Sequence, residues 1–390
     1  MDSEVAVVGG GIVGLGLAAA LGHSGLSVTL IDPRGPQTVP TEGFDTRVYA
    51  LRPASVSFLV RSQVWNQLDL ARTCPIHEMR VSGDDGRSVL TFDAYRAGLS
   101  ELAVIVEEAN LQRAARATLV SLSLVTVLSG RSLTDAQWSE SAVELTLDDG
   151  SRIRSQLAVA ADGADSKLRS LAGIETDVRP YSQRALVANF VVGRPHCNVA
   201  FQWFLDDGVL ALLPLPGQQV SMVWSTSEAH AEMLAALPPE GIARQVSESA
   251  MRELGDLQIV TPVSGFPLRL MSARRVVAPR LVIVGDAAHN VHPLAGQGLN
   301  LGLGDCAMLT QAIAERTPAE SIASPSLLAR YRRSRAEEVL AMKLATDGLQ
   351  RLFAGRAPGL KWLRNTGLRL VDGFAPVKHE LIKRAVGRIV

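Results

Sequence analysis

Apolar and small residues run almost without interruption from Val5 to Ile31, where His23 is the only ionisable side chain. The run is not uniform. EVAVV reads as a buried strand, GGGIVGLGLAAALGHSG as a glycine turn feeding a helix, and LSVTLID as a second strand, in about the thirty residues of a βαβ unit. Such a length also suits a membrane span or a signal peptide, but the acidic flank MDSE, the density of glycine and the strand-like beginning argue against both. Two further apolar strands follow. LAVAADG, at residues 157 to 163, comes after the hairpin signal LDDGSRIRS. RLVIVGD, at 280 to 286, runs into a loop with two histidines and a proline, and then into a glycine-rich helix, LNLGLGDCAML. Between Arg179 and Ala273, the runs ALVANFVVG, VAFQWFLDDGVLALLPLPG and QVSMVWSTS are broken by turn residues, which predicts a meander of strands. Phe201, Trp203, Phe204, Leu212, Pro214, Met222 and Trp224 supply either the core of that sheet or the lining of an apolar pocket.

The glycines of the first unit fall at Gly9, Gly11 and Gly14. In a strand-turn-helix context Gly9 permits the tight turn, Gly11 lets the backbone approach a pyrophosphate, and Gly14 lets the helix pack on the strand. The helix N-terminus then faces the phosphates with free N–H groups. Asp32 ends the second strand, where its carboxylate accepts both hydroxyls of an adenosine ribose and repels a 2′-phosphate, so FAD or NAD fits and NADP does not.

Gly9, Gly11 and Gly14, then DGADSKLR with Asp162, then GDAAHNVHPLAGQGLNLGLGD resemble, in that order, the class A flavoprotein aromatic hydroxylases, the para-hydroxybenzoate hydroxylase superfamily. The AGQGLNLGLGD form, DTRVYAL at 45 to 51 and LLARYRRSR followed by PVKHEL are similar to the ubiquinone-biosynthesis hydroxylases, and the likeness covers nearly the whole chain. It implies FAD. Asp286 is then the acceptor for a ribityl hydroxyl, and Gly296, Gly298, Leu299 and Asn300 bring backbone N–H groups at a helix start to the flavin ring, where the dipole favours the anionic reduced form. His292 and Pro293 are expected at the ring's reactive edge, with Pro293 stiffening the loop. Arg47 matches an early arginine near the cofactor, and Gln112 faces the flavin. One residue departs from the family pattern: Glu108 stands where a neutral or basic residue is usual. His289 is expected to be structural. The HxxH spacing of His289 and His292 lacks further ligands, and no metal is expected.

The resemblance also implies the fold and its division. The class is α/β: a discontinuous Rossmann-like FAD-binding domain (1–75, 98–178 and 274–345), an inserted β-sheet substrate domain (76–97 and 179–273) and a C-terminal helical, basic segment (346–390). No second GxGxxG and no CxxC pair is present, which excludes a separate nicotinamide domain and disulfide reductase chemistry; no WxWxIP segment marks a halogenase. What remains is oxygen chemistry by the cofactor, and the resemblance implies hydroxylation of an aromatic ring with O₂ through a flavin C4a-hydroperoxide, with NAD(P)H or another reductant as electron donor. A polyprenylated phenol is the expected substrate. A small soluble aromatic is the alternative, kept open by the basic ARR at 273 to 275, and a non-catalytic FAD-binding scaffold is a second.

Net charge is zero, so no whole-molecule field attracts nucleic acid. Cys74, Cys197 and Cys306 are odd in number and far apart, as expected of reduced cytosolic thiols. From Arg351 onward nine lysines and arginines stand against Asp372 and Glu380, and PVKHELIKRAVGRIV alternates apolar and basic positions. That segment suits either a solvated helix face or peripheral contact with the inner membrane or a biosynthetic complex. A homodimer is the family's expectation.

Overall fold

A computed structural model describes residues 2–35, 38–85, 87–290 and 297–354, without side chains at 343–347 and 349–354. The three apolar runs that end in Asp32, Asp162 and Asp286 lie in one eight-stranded sheet. Asp2–Val8 sits between Val28–Asp32 and Arg152–Ala160, and Leu281–Ile283 pairs on the far side of the latter, all parallel. Parallel strands buried on both faces must be apolar throughout, which is why these segments do not alternate. The hairpin predicted at LDDGSRIRS forms: Val143–Leu147 turns through Gly150, φ +80°, into Arg152–Ala160.

Two layers cover this sheet. On one face α1 (Ile12–His23) crosses α3 (Glu108–Val120) and α7 (Gln297–Ala314) in a continuous apolar core, reinforced by α2 (Pro53–Arg61) and α8 (Pro325–Ala354). α1 buries ten of its twelve residues, so it has no polar face. On the other face Leu133, Leu145 and Ile153 from the antiparallel strands pack with Leu168 of the short helix α4 (Lys167–Leu171).

A nine-stranded sheet forms the second layer system. Val199–Leu205, Gly208–Leu215 and Gln219–Ser227 make the expected meander. The preceding strand, Thr176–Val192, does not extend it in sequence order: it pairs with Gln219–Ser227 on one side and Ser264–Ala273 on the other. The strands Glu78–Ser82 and Val89–Asp93 complete the opposite edge. Helices α5 (Glu228–Ala235) and α6 (Pro239–Ser249) cover one face, and the core beneath them contains Phe201, Trp203, Leu212, Met222 and Trp224. Phe204 packs instead with Val81 and Leu90. Period-two alternation sends Phe201, Trp203, Leu212, Met222 and Trp224 to the side that α5 and α6 occupy, so these are sheet core, whereas Phe204 lies on the opposite face.

The other face of this sheet carries Ala200, Leu213 and Leu215, packed against a small three-stranded sheet of Val48–Leu51, Cys74–Ile76 and Ala103–Glu107. Asn189, fully buried on that face, donates from Nδ2 to the carbonyls of Phe44 and Asp45 at 2.9 and 3.1 Å. The two large sheets are joined once more where His289–Asn290 pairs with Ser272 and Met271.

Candidate active site

The parallel strands deliver their C-terminal ends to one side of the sheet, where the three motifs meet. The Gly9 N–H donates to the Ile31 carbonyl at 2.8 Å, and the Ala161 N–H donates to the Val8 carbonyl at 2.8 Å. Gly9 has φ +117°, and a Cβ there would stand 2.2 Å from the Ala161 oxygen. A Cβ on Gly14 would lie 1.9 Å from the Gly9 oxygen, so helix and turn are in backbone contact. Gly11 is different. It is the N-cap of α1 without a side-chain cap, and a Cβ there would meet nothing within 4 Å. Free N–H groups at a helix start beside open space suit an anionic diphosphate.

Gly10 was not singled out by the motif, yet a Cβ on it would fall 2.1 Å from the Asp32 carboxyl carbon. The middle glycine of the GGG run thus leaves room for the acid. Asp32 is fully buried; Oδ1 accepts the Arg34 N–H at 3.0 Å, and Oδ2 takes a short ion pair from Arg116 of α3. Arg116 compensates much of the charge that would repel a 2′-phosphate, so discrimination there rests on the carboxylate's remaining lone pairs.

Asp162 accepts the Leu168 N–H at 3.2 Å through Oδ2, while its buried Oδ1 has no partner. Arg169, in the same motif, donates to the carbonyls of Ala287 at 2.8 Å and Ala164 at 3.0 Å, which ties the second motif to the third. No local sequence pattern announces this arginine or Arg116, because each reaches an element far away in the chain.

In the third motif Gly285 takes φ +58° and Asp286 follows in a short turn. The Asp286 side chain is exposed to solvent, with protein close around it. Loss of hydration pushes its pKa up, against the pull of His289, Asn290 and Arg269. A Cβ on Gly298 would lie 3.9 Å from Asp286 Oδ1, which puts the start of α7 beside the carboxylate. The Asn300 side chain is used within the protein: Oδ1 accepts the Arg52 N–H at 3.0 Å and the Ser55 hydroxyl at 2.7 Å, and Nδ2 donates to Ala50 at 2.8 Å. Leu299 is part-buried against the core of the parallel sheet. His292, Pro293 and Gly296 lie outside the described residues.

Arg47 is mostly exposed and places NH1 3.4 Å from Oε2 of the buried Glu108. The same carboxylate accepts from Tyr49 at 3.2 Å and from Gln112 Nε2 at 2.9 Å. Glu108, the residue that departs from the family pattern, therefore gathers Arg47, Tyr49 and Gln112, and it commits the Gln112 amide to itself. Burial first, then Glu108 and Asp286, hold the Tyr49 phenol far above its ordinary pKa. Tyr49 is thus the tyrosine of this site. Tyr181 packs with Ala185 and Leu268 in the second sheet, and Tyr331 is buried with its hydroxyl 3.4 Å from the Ile283 carbonyl.

An open helix N-terminus, the acid at the end of the second strand, an orphaned Asp162 oxygen and the exposed Asp286 beside the start of α7 together fit the diphosphate, ribose and ribityl groups of FAD. The model of the FAD binding domain family matches residues 2–345. Ubiquinone hydroxylase UbiL of Rhodospirillum rubrum is 34% identical over 389 residues, covering 99% of this chain and 90% of that protein. The 3-demethoxyubiquinol 3-hydroxylase of Escherichia coli is 33% identical, covering 99% and 98%. Among solved structures, the p-nitrophenol 4-monooxygenase PnpA of Pseudomonas putida superposes with a TM-score of 0.78 at 19% identity over all of both chains, which shows a common fold. The chain is an FAD-dependent monooxygenase of the FAD binding domain family, on the branch of the ubiquinone-biosynthesis hydroxylases.

Proposed function

We propose that this enzyme hydroxylates the aromatic ring of a polyprenylated phenol in ubiquinone synthesis, with O₂ as co-substrate and NAD(P)H or another reductant as donor. The observation that carries this reading is the junction at Asp286. Its turn ends a strand of the parallel sheet, and residues 289 and 290 pair with the nine-stranded sheet, so cofactor and substrate layers meet at one carboxylate. The named hydroxylases similar over nearly the full chain supply the substrate class.

Bound FAD supplies the oxygen chemistry. In this reading Gly9, Gly11 and Gly14 shape the diphosphate turn, Asp32 holds the ribose, and Asp162 and Asp286 take hydroxyls of the ribityl side. Arg47 balances the cofactor's negative charge, and the backbone at Gly298, Leu299 and Asn300 faces the ring. His292 and Pro293, outside the described residues, are our candidates for the ring's reactive edge, and Gly296, also outside them, for backbone approach to the ring. Residues 1–75, 98–178 and 274–345 form the cofactor domain, and 76–97 with 179–273 the substrate domain. Of the two arginines in the ARR at 273 to 275 that keep the small-aromatic alternative open, Arg274 is exposed and engaged by Glu175 and Asp177. No helix among the described residues is long and apolar enough to cross a membrane. The basic run 376–390, outside those residues, is our candidate for contact with anionic lipid.

The test is reductant oxidation by the purified, FAD-loaded enzyme, with product analysis, in the presence and absence of a prenylated phenol. Substrate-stimulated oxidation with a hydroxylated product is expected. A yellow protein indifferent to every phenol and reductant would point to a scaffold.

FAD affinity should also depend on pH through Asp286. A ribityl hydroxyl donates to the ionised carboxylate, so binding is full above the raised pKa and weakens as pH falls through it, earlier than for an ordinary carboxyl at 3.8. Asp286→Asn should bind about tenfold to a hundredfold more weakly, with a flatter profile. Wild-type affinity that stays constant as the solution is acidified towards about pH 4 would remove this role from Asp286.

A further inference from the structure

The turn that carries Asp286 hangs from a buried chain of charges reaching α8. Asp305, in α7, is wholly buried. Its Oδ2 accepts the Gly285 N–H at 2.9 Å and lies 3.0 Å from Nε2 of His289, and its Oδ1 accepts Nε of Arg335 at 2.7 Å. Arg335, in α8, also donates to the Leu301 carbonyl at 3.1 Å and meets Glu338 in a short ion pair. Glu338 in turn holds the buried Arg52, whose own N–H donates to Asn300. A Cβ on Gly304 would stand 3.1 Å from the Arg335 guanidinium, so that glycine lets the arginine lie across α7. Burial opposes the charge on Asp305. His289, Arg335 and the Gly285 N–H overcome that penalty and hold its carboxyl below the ordinary range.

A buried ion pair is poor evidence for stability, because apolar residues of equal volume usually hold two helices together as well or better. What apolar residues cannot supply is direction. One carboxylate that engages a turn, a histidine and an arginine from three separate elements fixes the turn's orientation. Gly285 sits in the left-handed region and has no side chain of its own to restrain it.

We propose that Asp305 and Arg335 are positioning residues of the flavin site: Arg335 orients the Asp305 carboxylate, which holds Gly285 and His289 so that Asp286 faces the cofactor. This rests on the reading of Asp286 as a ribityl acceptor. Asp305→Asn keeps the volume but replaces one acceptor oxygen with a donor, so Gly285 and Arg335 cannot both be satisfied. Arg335→Lys keeps the charge and loses the fork, and Arg335→Met loses both.

The full-length chain, stripped of flavin, is titrated with FAD for each variant. The dissociation constant, the visible circular dichroism of the bound flavin and the unfolding midpoint of the apoprotein are recorded. Asp305→Asn and Arg335→Met are expected to weaken FAD about tenfold to a hundredfold and to alter the dichroism, with Arg335→Lys between them and wild type. A purely structural role would lower the midpoint and leave the dichroism of bound flavin unchanged, and wild-type affinity and dichroism in these variants overturn the proposal. Should Asp305→Asn fail to fold, Arg335→Lys decides on the same two readouts. Asp286→Asn separates the underlying reading. If it is weak while Asp305→Asn binds normally, Asp286 stands and the positioning role falls. If Asp286→Asn binds like wild type, the ribityl reading fails, and with it the route assigned to Asp305.

Discussion

Gly11→Ala should leave the apoprotein stable and weaken its hold on FAD, whereas Gly14→Ala should destabilise the fold itself. The two glycines are three residues apart in one motif, but their surroundings are opposite. A methyl on Gly14 would be driven to 1.9 Å from the Gly9 carbonyl oxygen and 3.3 Å from the Ala161 Cβ. The first of these is backbone and cannot rotate aside. Separating α1 from its strand opens the core around Leu15 and Leu17, so a loss of about 3 kcal/mol or more is expected, at the upper end of overpacking. At Gly11 the methyl meets open space, and the apoprotein should lose no more than about 1 kcal/mol from the poorer N-cap. That open space is the one the diphosphate needs. Pushing it off the helix N–H groups should weaken FAD about a hundredfold, or about 2.7 kcal/mol. Thermal unfolding of the apoproteins and FAD titration read the two effects separately. A Gly11→Ala protein with wild-type FAD affinity would move the diphosphate elsewhere.

Trp224→Ala should destabilise the enzyme by about 3 to 5 kcal/mol, the usual range for emptying a large aromatic site in a core. Trp224 is 1% exposed and packs under α5 and α6 with Leu186, Phe201 and Trp203; its ring stands edge-on to His230 at 5.5 Å between centroids. Because this face points away from the flavin motifs, the fraction that stays folded at low temperature should keep its KM for a prenylated phenol. Denaturant unfolding and steady-state kinetics check the two halves of the statement. A raised KM with intact stability would return Trp224 to the substrate pocket.

That second case shows where the strands became illegible. Phe201, Trp203, Leu212 and Trp224 sit among neighbours that are also apolar, so alternation reveals two buried faces without saying what covers either. Only the position of α5 and α6 decides it. The placement of Thr176–Val192 next to Gln219–Ser227 was hidden for a related reason: sequence neighbours tend to pair, and here a more distant strand took the place. The ion pairs of Asp32 with Arg116 and of Asp305 with Arg335 span 84 and 30 residues, and no local pattern announces them.

What the chain determined by itself is whatever depends on near neighbours. The βαβ unit, the glycine spacing from Gly9 to Gly14, the acids at three strand ends and the hairpin at Gly150 all follow from steric rules acting within a few residues. The tertiary structure alone decided which charges are shared. Arg116 attends Asp32, Glu108 collects Arg47, Tyr49 and Gln112, and α8 reaches the Asp286 turn through Arg335 and Asp305. Turn and helix rules act along the chain, whereas a buried charge takes whatever partner the packing of distant elements places within a few ångströms.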